Sequence, residues 1–149
     1  MLSAKVISVE VDPHAAEDFL KILDEGLTDV AEAVFTRSQE LVAVDEGMLK
    51  KSGHVEHEFL DKDVVYDAPY AADVEFGADP HTPPFEDIRG WVHRKRSDLG
   101  VKPKDVDNVA RAIQLKISEH GTQPQPYLRP AFDEMEVTAA EIIRAKFKD

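Results

Sequence analysis

The chain has 149 residues, 30 acidic and 18 basic, for a net charge of −12, and no cysteine. The length favours one domain over residues 1–149, with enough buried surface to form a core without staples. The missing cysteines exclude disulfides, thiolate metal sites and thiol catalysis, and the acidity opposes general binding to nucleic acid phosphates.

The N-terminal segment lacks a basic stretch followed by a long apolar run, so no signal peptide is expected. No apolar stretch approaches the roughly 20 residues that span a bilayer, and no membrane partner is expected. Residues Ala4–Val11 alternate with period two, as a half-buried strand does, and Asp12-Pro13 ends them. From His14 the period changes. Phe19, Leu20, Leu23, Leu27, Val30, Val34 and Leu41 recur at three- and four-residue steps, which predicts a helix over Ala15–Val42. At 1.5 Å per residue it is roughly 40 Å long, a spine across the molecule or an element reaching a neighbouring subunit. Gly26 interrupts it at a cost of ~1 kcal/mol relative to alanine.

Asp45-Glu46-Gly47 carries turn chemistry. Short strands are expected near His54–Leu60, Asp63–Tyr66 and Ala71–Phe76, with turns at Asp61-Lys62-Asp63 and Ala68-Pro69. On this reading Phe76 shares a buried face with Val74, and Gly77 turns the chain where a Cβ would clash. Thr82 is placed to cap a helix with Pro83 and Pro84 in its first turn and a stripe of Phe85, Ile88, Trp91 and Val92. Asp105 is placed to cap the next, with Val106, Val109, Ala110, Ile113 and Ile117 on one face and Gly121 as its stop. Three prolines make Thr122–Pro130 extended. A last helix is expected over Pro130–Phe147, with a stripe of Phe132, Met135, Ala139, Ile142, Ile143 and Phe147. The fold class is α+β: a small, mostly antiparallel sheet packed on the long helix, with further helices in the C-terminal half.

Chemistry-bearing patterns are sparse. His54 and His57 are the closest histidine pair, but three residues apart on a strand they face opposite sides. Asp79 and His81 form no ligand set by themselves, and neither a zinc-binding helix motif, a nucleophile elbow nor a glycine-rich phosphate loop is present. No catalytic, metal or cofactor-binding residue is assigned, and no enzymatic activity is expected. The basic run His93–Arg96 reads either as cations at a helix C-terminus or as a DNA-contacting patch.

Three stretches together carry a resemblance. Val44–Ser52 (VDEGMLKKS) resembles a VDTG-R-L-x-x-S segment that follows a long N-terminal helix. Tyr70–Ala78 (YAADVEFGA) resembles a YA-x-x-VEFGT segment, and Pro124–Phe132 (PQPYLRPAF) a P-x-PFLRPA segment before a C-terminal helix. Ile88–Lys95 is similar to a helix inserted in some members. The family is that of head–tail-joining, or tail-completion, proteins of long-tailed double-stranded DNA viruses and prophages. Glu46, Met48, Ala78 and Tyr127 depart mildly from its pattern, and the 78–100 insert is variable in it.

The resemblance implies a structural virion protein rather than an enzyme. It implies a hexameric homo-oligomeric ring at the neck, assembled in the host cytoplasm, between the head-completion (stopper) protein and the tail tube protein. DNA would pass through the lumen without specific binding and without any cofactor. A portal adaptor or tail terminator ring, or a small metal-dependent hydrolase, stands as the alternative. A closed ring needs two different patches per protomer. The subunit-interface candidates are Val44, Asp45, Gly47 and Leu49, then Asp79, Pro80 and His81, then Gln123, Pro124, Gln125, Pro126, Tyr127 and Arg129. Internal turns packed on their own sheet are the competing reading of the first and last groups. Tyr70, Glu75, Phe76, Gly77, Leu128 and Pro130 are taken as structural. Glu56, Glu58, Asp61, Asp63 and Asp79 are candidates for an acidic lumen wall.

Overall fold

The computed structural model describes residues 12–148. The strand expected over Ala4–Val11 lies outside the described residues. Helix α1 runs Pro13–Leu41, and the Asp12 carboxylate accepts the His14 N–H at 2.9 Å to cap it. A short α2 (Met48–Lys51) leads into a two-stranded antiparallel hairpin of β1 (Gly53–Glu58) and β2 (Asp61–Tyr66). Then come α3 (Ala71–Phe76), α4 (Phe85–Lys95), a 3₁₀ turn (Pro103–Asp105), α5 (Val106–His120) and α6 (Leu128–Lys146). The class is α+β, as expected, with a single hairpin for its sheet among the described residues.

Helices α1 and α6 pack antiparallel along most of their length. Phe19 stacks on Phe147 with ring centroids 5.0 Å apart, and Arg37 clamps Glu134 through its Nε at 2.6 Å. Gly26 marks a close approach of the two, since a Cβ there would lie 3.1 Å from the Cα of Ile143. The interruption in the apolar stripe is a packing site.

The hairpin turns on Phe59-Leu60, not on Asp61-Lys62-Asp63. Glu58 pairs with Asp61, and Leu60 adopts φ +62°. Turn composition pointed to the acidic triplet, but a contact 36 residues away overrides it. The Asp24 carboxylate of α1 accepts the Leu60 N–H at 2.7 Å and the Lys62 ammonium at 2.6 Å. With side chains alternating at period two, this register turns Lys62, Val64 and Tyr66 toward α1 and Glu56, Glu58, Asp61 and Asp63 away from it.

Asp24 also gives a pH signature. The Lys62 hydrogen bond first, then the Leu60 amide, holds its carboxyl below the usual carboxylate range. Its stabilising contribution is thus complete above the unfolded value of ~3.9 and is lost as pH falls through the lower folded value. Asp24→Asn is expected to lower the melting temperature at neutral pH, and the gap to the unmodified protein should close in acid. Equal melting temperatures at neutral pH would contradict this.

Three further expectations are corrected. Residues 71–76 are a helical turn and a half, not a strand, with the Val74 N–H bonded to the Tyr70 carbonyl. Residues two apart on a helix point to different sides, so Phe76 does not share Val74's face and is 74% exposed. Phe76→Ala therefore carries no core-deletion penalty. Helix α4 begins after both prolines, with Pro84 rather than Thr82 at its N-cap. Helix α6 begins at Leu128, two residues before Pro130, and its Phe132 is 55% exposed rather than part of the buried stripe.

Two hydrophobic clusters organise the described residues. Val42, Leu49, Ala71 and Tyr127 form one, between α1, the hairpin, α3 and the start of α6. Val92, Val106 and Ala110 form the other, inside the α4–α5 pair with Phe85, Ile88 and Trp91 around them. The α4–α5 pair is thus an arm with its own small core.

Candidate functional site

The segments that carry the motifs meet in space. Glu75, in α3, is buried, and its carboxylate accepts the N–H groups of Tyr127 (2.8 Å), Leu128 (3.0 Å) and Arg129 (2.8 Å). A helix leaves its first four N–H groups without intrahelical partners. Glu75 takes three of these at α6, and Pro130, the next residue, has no N–H to satisfy. The negative charge also sits at the positive end of the α6 dipole. The acid of one motif and the Leu-Arg-Pro of another therefore form one cap built from residues about 50 apart in sequence.

Tyr127 completes the junction. Its ring packs edge-on against Tyr66 at 4.8 Å, and it is 2% exposed. Burial, reinforced by the Glu75 charge and by Tyr66, pushes its phenol up to about 12. The Tyr66 hydroxyl in turn hydrogen-bonds Ser38 at 2.7 Å in α1 and receives the Gln39 side-chain amide at 3.0 Å. Leu49, from the Val44–Ser52 stretch, is buried in the same cluster. For Leu49 and Tyr127 the internal reading holds; they are core residues and not interface residues.

Of the other interface candidates, Val44, Asp45, Gly47, His81, Gln123 and Gln125 line a cleft of about 560 Å³ between the body and the arm. Val44, Asp45 and Gly47 form one wall, and Gln123 and Gln125 another. Trp91 and Lys95 of α4 and His81 of the preceding loop close the third side. Val44, Asp45 and Gly47 of the first group and Gln123 and Gln125 of the last are therefore neighbours on one surface. They do not supply the two separate patches that a head-to-tail contact requires. Pro124 and Pro126 are exposed beside them, while Gln125 is tied back through its N–H to the Val74 carbonyl at 2.7 Å. Asp79 and Pro80 are exposed in the loop that enters the arm, and Arg129 is exposed on the first turn of α6, with Nε on Asp133 at 2.9 Å.

The arm is fixed to the body at two places. At its base, Ala78 and Thr122 form a two-way backbone bridge, reinforced by the Thr122 hydroxyl, which accepts the Ala78 N–H at 2.9 Å. At its far end Arg94 binds Asp45 (2.7 Å) and Glu46 (3.0 Å), and Lys95 donates to the Val44 carbonyl at 3.3 Å. The basic run thus ends its helix, as one of its two readings had it, and two of its cations engage the body. Partly exposed ion pairs of this kind are screened by salt. Arg94→Ala is expected to speed amide exchange in α4 without moving that of α1 or α6. About 0.5 M salt should have a similar effect on the unmodified protein. Unchanged exchange in α4 would show that the ion pairs do not hold the arm.

The two histidines of the hairpin do face opposite sides. His54 lies beside Glu56 and Asp67, while His57 reaches Glu32 of α1. Among the described residues no three His, Asp or Glu side chains converge as a metal-binding group, and no helix is long and apolar enough to cross a membrane. Sequence reading missed the Asp24–Lys62 pin and the apolar hairpin tip. Nothing local marks either, because the partners are 38 residues apart and the tip residues lack turn chemistry. No protein-family model, curated protein or solved structure matches the chain.

Proposed function

We propose that the protein is a ring-forming head–tail-joining protein of a long-tailed double-stranded DNA virus or prophage. In this role it sits at the neck between the head-completion protein and the tail tube. The observation that supports this reading is the convergence of the three resembling stretches. They are far apart in the chain, yet Leu49, Ala71 and Tyr127 share one buried cluster and Glu75 caps the helix that follows the third.

The charge pattern fits a conduit for DNA. Glu56 lies opposite Asp63 and Glu58 opposite Asp61, so four carboxylates share the hairpin face turned away from α1. Like charges directly opposite are mildly unfavourable in a sheet. On the proposed reading this face lines the lumen, where it keeps phosphates from adhering. The test is electron microscopy and native mass spectrometry of the purified protein, alone and with the head-completion and tail tube proteins of the same genome. Rings with an open, acidic channel are expected. A protein that stays monomeric alone and with both partners, or a lumen lined by lysine and arginine, would overturn the proposal.

A further inference from the structure

The hairpin tip breaks the rules of its own turn. Two-residue hairpin turns favour Asn-Gly or other glycine-containing pairs, because φ is positive there. Here the turn is Phe59-Leu60. Leu60 is the only non-glycine residue with positive φ among the described residues, and Phe59 is 63% exposed. A left-handed leucine is disfavoured, and such outliers persist only where the surroundings enforce them. The enforcement is the Asp24 carboxylate, which holds both the Leu60 N–H and the largely buried Lys62 ammonium. The chain thus fixes a strained turn that presents an aromatic ring to solvent.

A receptor of matching character lies at the other end of the same hairpin. Phe76 and Phe132, 74% and 55% exposed, flank a groove of about 320 Å³ floored by Tyr66, Ala72 and Leu128. Phe132, in α6 but outside its buried stripe, and Phe76, at the end of α3, are both large apolar residues left uncovered. Tyr66 is the last residue of β2, and Phe59 lies two residues before its first. At ~3.4 Å per residue, the two features lie roughly 20 Å apart along the hairpin. They are therefore two separate patches on one protomer, which head-to-tail assembly needs and which the body–arm cleft does not give. The charges also match: Glu58 and Asp61 flank the tip, and at the groove the largely exposed Arg129 guanidinium, which holds Asp133 through its Nε, stands beside a buried Glu75 carboxylate that is taken up by the three N–H groups it caps.

We propose that Phe59 is an anchor that inserts between Phe76 and Phe132 of the next copy of this chain, with Glu58 or Asp61 meeting its Arg129. The inference rests on the ring reading for its occupant, a second copy, but its test is separate. All three phenylalanines are exposed, so polar replacements leave the fold intact. Phe59→Ser is expected to weaken self-association at least about tenfold, as loss of a central aromatic anchor does. The paired change Phe76→Ser with Phe132→Ser should do the same. Sedimentation velocity of the two variants mixed in equal amounts should then show dimers and nothing larger, because only one intact tip–groove pair remains. The absence of native cysteine allows a direct check. Under mild oxidation, Phe59→Cys with Phe132→Cys in one chain should give a ladder of linked multimers, and either change alone no more than dimers. Rings of Phe59→Ser as stable as those of the unmodified protein would refute the contact while leaving the ring reading intact. An unmodified protein that never self-associates, with no ladder from the double-cysteine variant, would refute both.

Discussion

Replacing Glu75 by alanine is expected to destabilise the protein by about 3–5 kcal/mol, a fall of about 10 °C in melting temperature. The magnitude follows from what the carboxylate does. It is 6% exposed and the acceptor for three N–H groups of one helix end. Alanine would leave those donors facing a small cavity with no partner, and the Tyr127 N–H is itself buried. An unsatisfied buried donor costs about 1–3 kcal/mol, and bonds to a charged acceptor are the stronger kind. Glu75→Gln keeps one carbonyl oxygen but turns an amide NH₂ toward the remaining donors, so it should recover only part of the loss. Glu75→Asp keeps the charge on a side chain one methylene shorter and should fare little better than Gln. Urea titration of the three variants is the measurement. An alanine variant within about 0.5 kcal/mol of the unmodified protein would mean that water replaces the cap, and the junction would lose its place as the organising contact of the motifs.

The sequence showed this junction only in part. Helices α1, α5 and α6 were legible because an apolar stripe at three- and four-residue steps needs no knowledge of the partner. So were the arm's stripe and the stop at Gly121. The errors came where a distant partner decides. Residues 71–76 are too short to show a period, and Val74-Glu75-Phe76 alternates as well as a strand would. As a helix they hold Glu75 at the start of α6, some 50 residues on, a contact that no local pattern announces. The hairpin turn was misplaced because Asp61-Lys62-Asp63 has better turn composition than Phe59-Leu60, and the deciding carboxylate is in α1. The interface candidates show the same limit. Proline-edged, exposed stretches could be recognised, but not that Val44–Gly47 and Gln123–Gln125 line the same cleft.

The largest backbone effect is expected at Gly121. Its φ of +71° and ψ of −158° fall in a region that is essentially glycine-only, and Gly77, with φ +77° and ψ +169°, shares it. The two glycines flank the Ala78–Thr122 bridge from opposite strands, and each is pressed against the other strand's backbone. A Cβ on Gly121 would overlap the Ala78 carbonyl, and one on Gly77 would lie 2.5 Å from the Thr122 carbonyl oxygen. Neither neighbour can yield, because each belongs to a hydrogen bond of the bridge: Thr122 N–H to Ala78 at 2.9 Å and Ala78 N–H to Thr122 at 3.2 Å. Gly121→Ala is expected to cost about 3 kcal/mol, combining a forbidden backbone region with the loss of both bonds. The damage should be local. The α1–α6 pair does not pass through the bridge, whereas the arm is tethered by it and by the contacts of Arg94 and Lys95 at its far end. Amide exchange should therefore accelerate at Ala78, His81 and Thr122 and through α4 and α5, and far less in α1. Gly77→Ala should produce the same pattern. The two changes break one structure, so the double variant should lose clearly less than the sum of the singles. Additive losses, or bridge amides that exchange at the unmodified rate, would show that the glycines serve separate ends and that the arm is held by its ion pairs.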